Sequence, residues 1–285
     1  MAFSVSSRSA VLASTDVLPA AATPLRPTRR KGVLLPILSM PMLVLLGLPL
    51  LALLLRLDVV DLQQNLASPT VVRALSLSLL TATATTVCAL FLGTPLAYLL
   101  ARRSFRGRRI IDTLVDLPMV LPPAVAGIAL LLVFGRRGWL GTPLEAAGIS
   151  IVFTPVAVVL AQLFVAAPFY IRSAAAGFAE IDSELEQAAA LDGAGDFDVF
   201  RHVTAALAWP AILGGMVMTW ARALGEFGAT IIFAGNFPGR TQTMPLAIYL
   251  GFERDLDLAV TLAFVLLAAS FAVLWVVHWG LGRRP

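Results

Sequence analysis

Residues 74–101 read ALSLSLLTATATTVCALFLGTPLAYLLA, and no charged residue lies between Arg73 and Arg102. A helix that crosses the ~30 Å hydrocarbon core of a bilayer needs roughly 20 mostly apolar residues. A membrane β-strand would instead alternate between apolar and polar positions throughout, whereas residues 87–101 are almost continuously apolar. The stretch therefore predicts a transmembrane helix.

The rest of the chain has the same character. Its 285 residues have a mean hydropathy of +0.87, with 59% hydrophobic and only 13% charged residues. A soluble domain carries roughly twice that charged fraction. Five further stretches are long and apolar enough to span a bilayer, namely residues 33–57, 114–134, 149–171, 207–234 and 256–281. We therefore predict an all-α integral membrane protein with six transmembrane helices.

The two ends of the chain differ in composition. Residues 1–32 are polar and contain several Ser and Pro residues, which predicts a disordered cytoplasmic tail. Residues 33–57 follow a basic cluster, as a signal peptide would, but they lack a convincing cleavage site and are too long for one. We interpret them as a retained first transmembrane helix, followed by a core of five helices over residues 70–281.

Basic residues predict the orientation, because they are enriched in cytoplasmic loops. With both termini in the cytoplasm, 14 basic residues fall on cytoplasmic segments and 6 on outer ones. The basic stretch at residues 102–109 lies directly beside a span, so we interpret it as an anchor to anionic membrane lipid. This position argues against a role in nucleic-acid binding.

The composition also excludes several kinds of chemistry. The chain has a single cysteine, Cys88, and two histidines without the spacing of metal ligands, so we predict no metal site and no disulfide. Lys31 is the only lysine, and the phosphate-binding pattern Gly-x-x-x-x-Gly-Lys-Ser/Thr is absent. We predict that this chain binds no cofactor and is not an enzyme.

One cytoplasmic loop, at about residues 173–206, has a helical sequence. Residues 182–193 read DSELEQAAALDG. Ser183 and Glu186 have the spacing of a capping box, and Gly193 can end the helix in the left-handed conformation. Asp196 then predicts the N-cap of a second short helix.

The segment 187–193 resembles the EAA loop of ABC importer permeases, although Gln187 stands where that family usually has Glu. Residues 117–130 and 221–249 are similar to the permease subunits of molybdate importers. The resemblance implies the fold of a type I importer permease with a cytoplasmic coupling helix. It also implies that the loop contacts an ATPase subunit through these residues: Glu186, Gln187, Ala188, Ala189, Asp192 and Gly193.

The same resemblance implies the partners. Two copies of the chain would work with two copies of an ATP-binding ATPase subunit and an extracytoplasmic molybdate-binding protein, in the lipid of a bacterial plasma (inner) membrane. The implied function is the import of molybdate, and of tungstate as a related anion. A sulfate or thiosulfate permease is the nearest alternative, and a stand-alone secondary transporter or channel is a second.

Several residues within the predicted spans are candidates for a translocation path. Arg222 and Glu226 are four residues apart, so they can form an internal ion pair, attract an oxyanion, or do both. The hydroxyls of Ser78 and Thr81 can line a path or bridge neighbouring helices. Pro122 and Pro123 predict a break in the third span, because neither has an N–H to donate.

Overall fold

The computed structural model describes residues 34–57, 60, 62–64 and 68–281. The tail predicted at residues 1–32 lies outside the described residues. The chain divides into two compact units, Met1–Leu48 and Pro49–Pro285. The described part of the first unit belongs to helix α1 (Leu34–Leu55), whose described leucine side chains are mostly exposed, as they would be in contact with lipid.

From residue 68 onward the described chain is a succession of helices joined by short turns. They are α2 (Pro69–Arg102), α3 (Arg108–Val120), α4 (Pro123–Phe134), α5 (Gly141–Ala146), α6 (Pro155–Glu180), α7 (Ser183–Leu191), α8 (Asp196–Val199), α9 (Ala205–Leu207), α10 (Trp209–Leu224), α11 (Gly228–Phe233), α12 (Met244–Arg254) and α13 (Leu256–Leu281). A π-helical turn, Phe200–Thr204, lies between α8 and α9.

Within the described residues, four helices are long and apolar enough to cross a membrane: Ile37–Leu55 in α1, all of α2, all of α6, and Leu256–Val276 in α13. Two bent helix pairs raise the number to six if each pair is one span. They are α3 with α4, bent by 118°, and Asp196–Leu207 with α10, bent by 72°. The prediction of an all-α protein with several spans is therefore confirmed.

The third span is broken, as Pro122 and Pro123 predict, and its first helix starts at Arg108 rather than at residue 114. Helix α3 ends at Val120, and α4 starts at Pro123 after a sharp bend. Pro122 and Pro123 cause the break because they cannot donate to the carbonyls one turn earlier. Pro118 lies inside α3 without ending it.

Two other span boundaries also differ from the prediction. The span expected over residues 207–234 is interrupted, because α10 ends at Leu224 and α11 starts only at Gly228. The span expected over residues 149–171 starts later, at Pro155, and continues to Glu180. Thr154 sets this start, since its hydroxyl accepts the N–H of Ala157 at 3.4 Å.

Helix α6 packs against both α2 and α10. A Cβ on Gly93 of α2 would lie 2.9 Å from the Tyr170 ring of α6, and a Cβ on Gly177 would lie 2.3 Å from the Ala211 side chain of α10. Small residues at such contacts allow close backbone approach, which drives helix association within lipid. Helices α2 and α6 run parallel, so the end of α2 at Arg102 lies level with the loop that follows α6.

Candidate functional site

The predicted loop helix is present as α7, but its cap differs from the prediction. Asp182 is the N-cap, and its carboxylate accepts the N–H of Glu184 at 2.9 Å. Ser183 is already inside the helix, so the capping box that pairs it with Glu186 is wrong. Gly193 ends the helix with a φ of +91°, as predicted. The second helix, α8, begins at Asp196 with Gly195 rather than Asp196 as its N-cap.

Glu186 is used for a tertiary contact instead of a cap. Its Oε1 atom accepts a hydrogen bond from Nη2 of Arg102 at 3.0 Å and from the hydroxyl of Thr204 at 2.6 Å. The side chains of Arg102 and Glu186 are each 16% exposed. Arg102 therefore binds Glu186, whereas Arg103 and Arg106, which belong to the same predicted lipid anchor, are exposed.

The other predicted coupling residues form the outer surface of the loop. Gln187, Ala188, Asp192 and Gly193 are exposed, and Ala189 is half-buried. Large apolar side chains accompany them on this surface, namely Leu185 at 50%, Leu191 at 89% and Phe197 at 71% exposure. A pocket of ≈ 560 Å³ lies beside the contact between Glu186 and Arg102, lined by Tyr98, Arg103, Glu186, Gln187, Phe197 and Phe200 among others. An exposed apolar surface of this kind is typical of a protein contact.

The predicted ion pair between Arg222 and Glu226 forms at the C-terminal end of α10. Nη1 of Arg222 lies 2.8 Å from Oε2 of Glu226, whose side chain is 1% exposed, while that of Arg222 is 31% exposed. Helix α10 ends at Leu224, so the pair spans the end of a helix rather than one continuous helix face. The other carboxylate oxygen of Glu226 accepts the N–H of Ala229 in α11 at 2.9 Å.

The break between α10 and α11 lies against the break between α3 and α4. A Cβ on Gly228 would lie 2.7 Å from the Cβ of Pro123, so only glycine allows α11 to approach α4 this closely. Glu226 lies two residues before Gly228, and Pro122 directly precedes Pro123. The Gly228 contact therefore places the segment that carries Glu226 beside the proline break.

The hydroxyl candidates on α2 have a different environment. The Ser78 hydroxyl accepts the N–H of Met244, the first residue of α12, at 2.7 Å. The Thr81 hydroxyl donates to the carbonyl of Ser78 at 3.3 Å. Both side chains are buried. These contacts favour a role in helix packing over a role in lining a path.

One charged cluster was not predicted from the sequence. Arg172 on α6 donates from Nε to Asp116 at 2.6 Å and from Nη1 to Asp112 at 2.9 Å, and from Nη2 to the carbonyl of Asp112 at 2.8 Å. The spacing of Asp112 and Asp116 was the available signal, because residues four apart share one face of a helix. Their basic partner is 56 residues away from the nearer aspartate, and nothing in the sequence indicates that contact.

Comparisons with known proteins agree with this geometry. The family described as "Binding-protein-dependent transport system inner membrane component" matches residues 93–279. The molybdenum transport system permease protein ModB of Mycobacterium tuberculosis is 44% identical over 242 residues, which are 85% of this chain and 90% of that protein. A probable sulfate transport system permease protein cysT of Chlorokybus atmophyticus is 36% identical over 220 residues, 77% of each protein.

A solved structure shares the fold. A chain of a bacterial ABC transporter involved in the import of the acidic polysaccharide alginate superposes with a TM-score of 0.69 at 16% identity, covering 86% of this chain and 92% of that chain. The helical arrangement, the loop helix and the family match therefore lead to one assignment. The chain belongs to the family of binding-protein-dependent transport system inner membrane components, the permease subunits of ABC importers.

Proposed function

We propose that this chain is the permease subunit of an ABC importer that moves molybdate, and tungstate as a closely related oxyanion, into the cytoplasm. The observation that carries the cargo assignment is the 44% identity over 85% of the chain to a molybdenum transport permease. The sulfate permease relative is less similar, at 36% over 77% of the chain. Sulfate or thiosulfate is therefore the second candidate cargo.

The energy source is a separate ATPase. The only lysine of the chain, Lys31, is not part of a phosphate-binding loop, so ATP is hydrolysed on two copies of a partner subunit. The exposed surface of α7 with Gln187, Ala188, Asp192 and Gly193 is where that subunit binds. Its closure on ATP displaces the loops of two permease copies and reorients the spans around a central path, which requires no covalent chemistry in this chain.

The family description states that transport depends on a binding protein. An extracytoplasmic binding protein therefore shares the selection of the anion with this permease. Within the permease, Arg222 supplies positive potential and Glu226 keeps that attraction weak. A transport site needs such weakness, because an anion that binds too tightly is not released. The partial exposure of Arg222 beside a buried carboxylate supports this division of roles. Pro122 and Pro123 line the path by breaking the third span beside Gly228.

The test is the cellular molybdenum content at limiting molybdate after deletion of this gene, with and without excess sulfate. A large loss of cellular molybdenum that the restored gene reverses supports the molybdate assignment. Excess sulfate should not cause such a loss in the wild type. A growth defect on sulfate with unchanged molybdenum would transfer the assignment to sulfate. Deletion of the partner ATPase gene should produce the same loss, whereas a stand-alone transporter would continue to work.

A further inference from the structure

Glu186 connects three separate parts of the chain through a single oxygen atom. Its Oε1 accepts from Nη2 of Arg102, the last residue of α2, and from the hydroxyl of Thr204, the last residue of the π-helical turn. That turn leads through α9 into α10. The contact therefore joins the loop helix α7 to two membrane helices that are 84 and 18 residues away in sequence.

The contact is mostly buried, although Glu186 also lines the ≈ 560 Å³ pocket beside α7. Thr204 is fully buried, and the side chains of Arg102 and Glu186 are each 16% exposed. A charge pair in such surroundings is screened weakly, and removing either member leaves the other charge desolvated without a partner. By comparison, no residue of α7 is fully buried. The other acidic residue on α7, Glu184, is exposed, and so is the neighbouring Gln187.

The pairing is also incomplete in this conformation. The Nε atom of Arg102 is buried and has no hydrogen-bond partner. An unpaired buried donor is unfavourable, so the Arg102 guanidinium is not saturated and depends on the Nη2 hydrogen bond to Glu186.

We propose that Glu186 is the positioning residue that transmits the movement of α7 to α2 and α10, while the exposed, uncharged Gln187 takes no part in this link. This inference rests on the proposed function as an ATP-driven importer. Arg102 and Thr204 receive the movement on α2 and before α10. Helix α10 then carries it to the region of Arg222 and Glu226.

The experiment uses the full complex of permease, ATPase and binding protein in proteoliposomes and measures molybdate moved per ATP hydrolysed. Glu186→Gln and Arg102→Gln should each lower this ratio about fivefold or more, the usual lower range of a coupling free energy. The ATPase should still copurify with both variants. The reversed pair, Glu186→Arg with Arg102→Glu, should restore at least half of the decrease in molybdate moved per ATP. Thr204→Val should lower this ratio less than either single charge change does.

The matched control is Glu184→Gln, which removes an exposed charge from the same helix and should leave the ratio unchanged. An unchanged ratio in Glu186→Gln and Arg102→Gln would overturn the proposal. Loss of the ATPase from the purified complex would also overturn it, because Glu186 would then act in docking. If the wild-type complex hydrolyses ATP but moves sulfate instead of molybdate, the proposed cargo fails, and the same variants test the link through sulfate moved per ATP.

Discussion

Glu226 is the one charged residue in the described part of the chain that is fully buried. Its carboxylate is satisfied by Arg222 and by the N–H of Ala229. Burial of a charge is tolerated only with such partners. These two contacts therefore lower the free-energy cost of burying the Glu226 carboxylate.

Replacing Arg222 should destabilise the protein strongly. Arg222→Gln leaves the Glu226 carboxylate buried without a cation, and breaking a buried pair in this way costs about 3–5 kcal/mol. Thermal unfolding of the detergent-purified permease measures this loss. The double variant Arg222→Gln with Glu226→Gln should recover most of it, because no unpaired charge remains. Equal instability of the single and double variants would contradict this account.

The same double variant separates the two interpretations of the pair. If Arg222 attracts the anion, the double variant should be stable but deficient in uptake. If the pair only makes the helix tolerable in the bilayer, uptake per folded molecule should stay near the wild-type value. Molybdate uptake normalised to the amount of folded permease in the membrane distinguishes these outcomes.

Ser78 should affect stability more than transport. Ser78→Ala removes the acceptor of the Met244 N–H and leaves a buried donor unpaired, which costs about 1–3 kcal/mol. We expect a lower unfolding temperature with normal uptake per folded molecule. Ser76→Ala is the matched control, because the Ser76 hydroxyl is exposed and donates only to the carbonyl of Arg73 in its own helix. A selective loss of uptake in Ser78→Ala would restore this residue as a path candidate.

At the scale of elements, the loop helix depends on its two ends. Asp182 caps the start of α7, and Gly193 ends it at a φ of +91°. The positive φ reverses the chain toward α8 within two residues. The exposed surface proposed to bind the ATPase is therefore held in place by local backbone geometry as well as by Glu186.

A side chain at Gly193 should impair coupling. A β-branched residue strongly disfavours a positive φ, so Gly193→Val should shift the turn and reduce uptake severely while insertion into the membrane continues. Gly195→Val is the matched control, because Gly195 has a φ of −70° and a Cβ there would meet only one side-chain oxygen at 3.9 Å. Uptake and membrane content are measured together; normal uptake by Gly193→Val would remove the turn from the coupling surface.

At the scale of the whole molecule, lipid as the surrounding solvent explains the exposed apolar surface. Large apolar side chains such as Leu46, Leu80, Phe91 and Leu132 are mostly exposed, whereas a soluble protein would bury most of them. Lipid tails are as apolar as these side chains, so they can remain outside. The buried interior accordingly contains many small residues, for example Ala82, Ala161 and Ala174.

The predicted orientation is tested by fused reporters. A fluorescent protein attached after residue 285 should fluoresce, and alkaline phosphatase at the same position should be inactive, because the basic residues favour a cytoplasmic C-terminus. Fusions after residue 140, in a predicted outer loop, should give the reverse pattern. Active phosphatase at residue 285 would contradict the orientation.

Much of the fold could be predicted because its signals are local. Apolar runs indicated the spans, Pro122 and Pro123 indicated a break, and Gly193 indicated the end of a helix. The capping box at Ser183 failed because Asp182, one residue earlier, is also a good cap, and the tertiary contact of Glu186 outweighs a local cap. The interruption after Leu224 was missed because residues 225–234 are themselves largely apolar.

Composition and the order of neighbouring residues are enough to predict a helical membrane protein with a helical loop after the fourth span, because these features are local. Which charges meet depends on how the helices pack. Arg102 pairs with Glu186 and Arg172 pairs with Asp112 and Asp116, over separations of 56 to 84 residues. The first contact follows from the parallel packing of α2 and α6, in which Thr85 meets Gln162 and Gly93 meets Tyr170. The second follows from the packing of α3 on α6, and both packings are properties of the assembled helices.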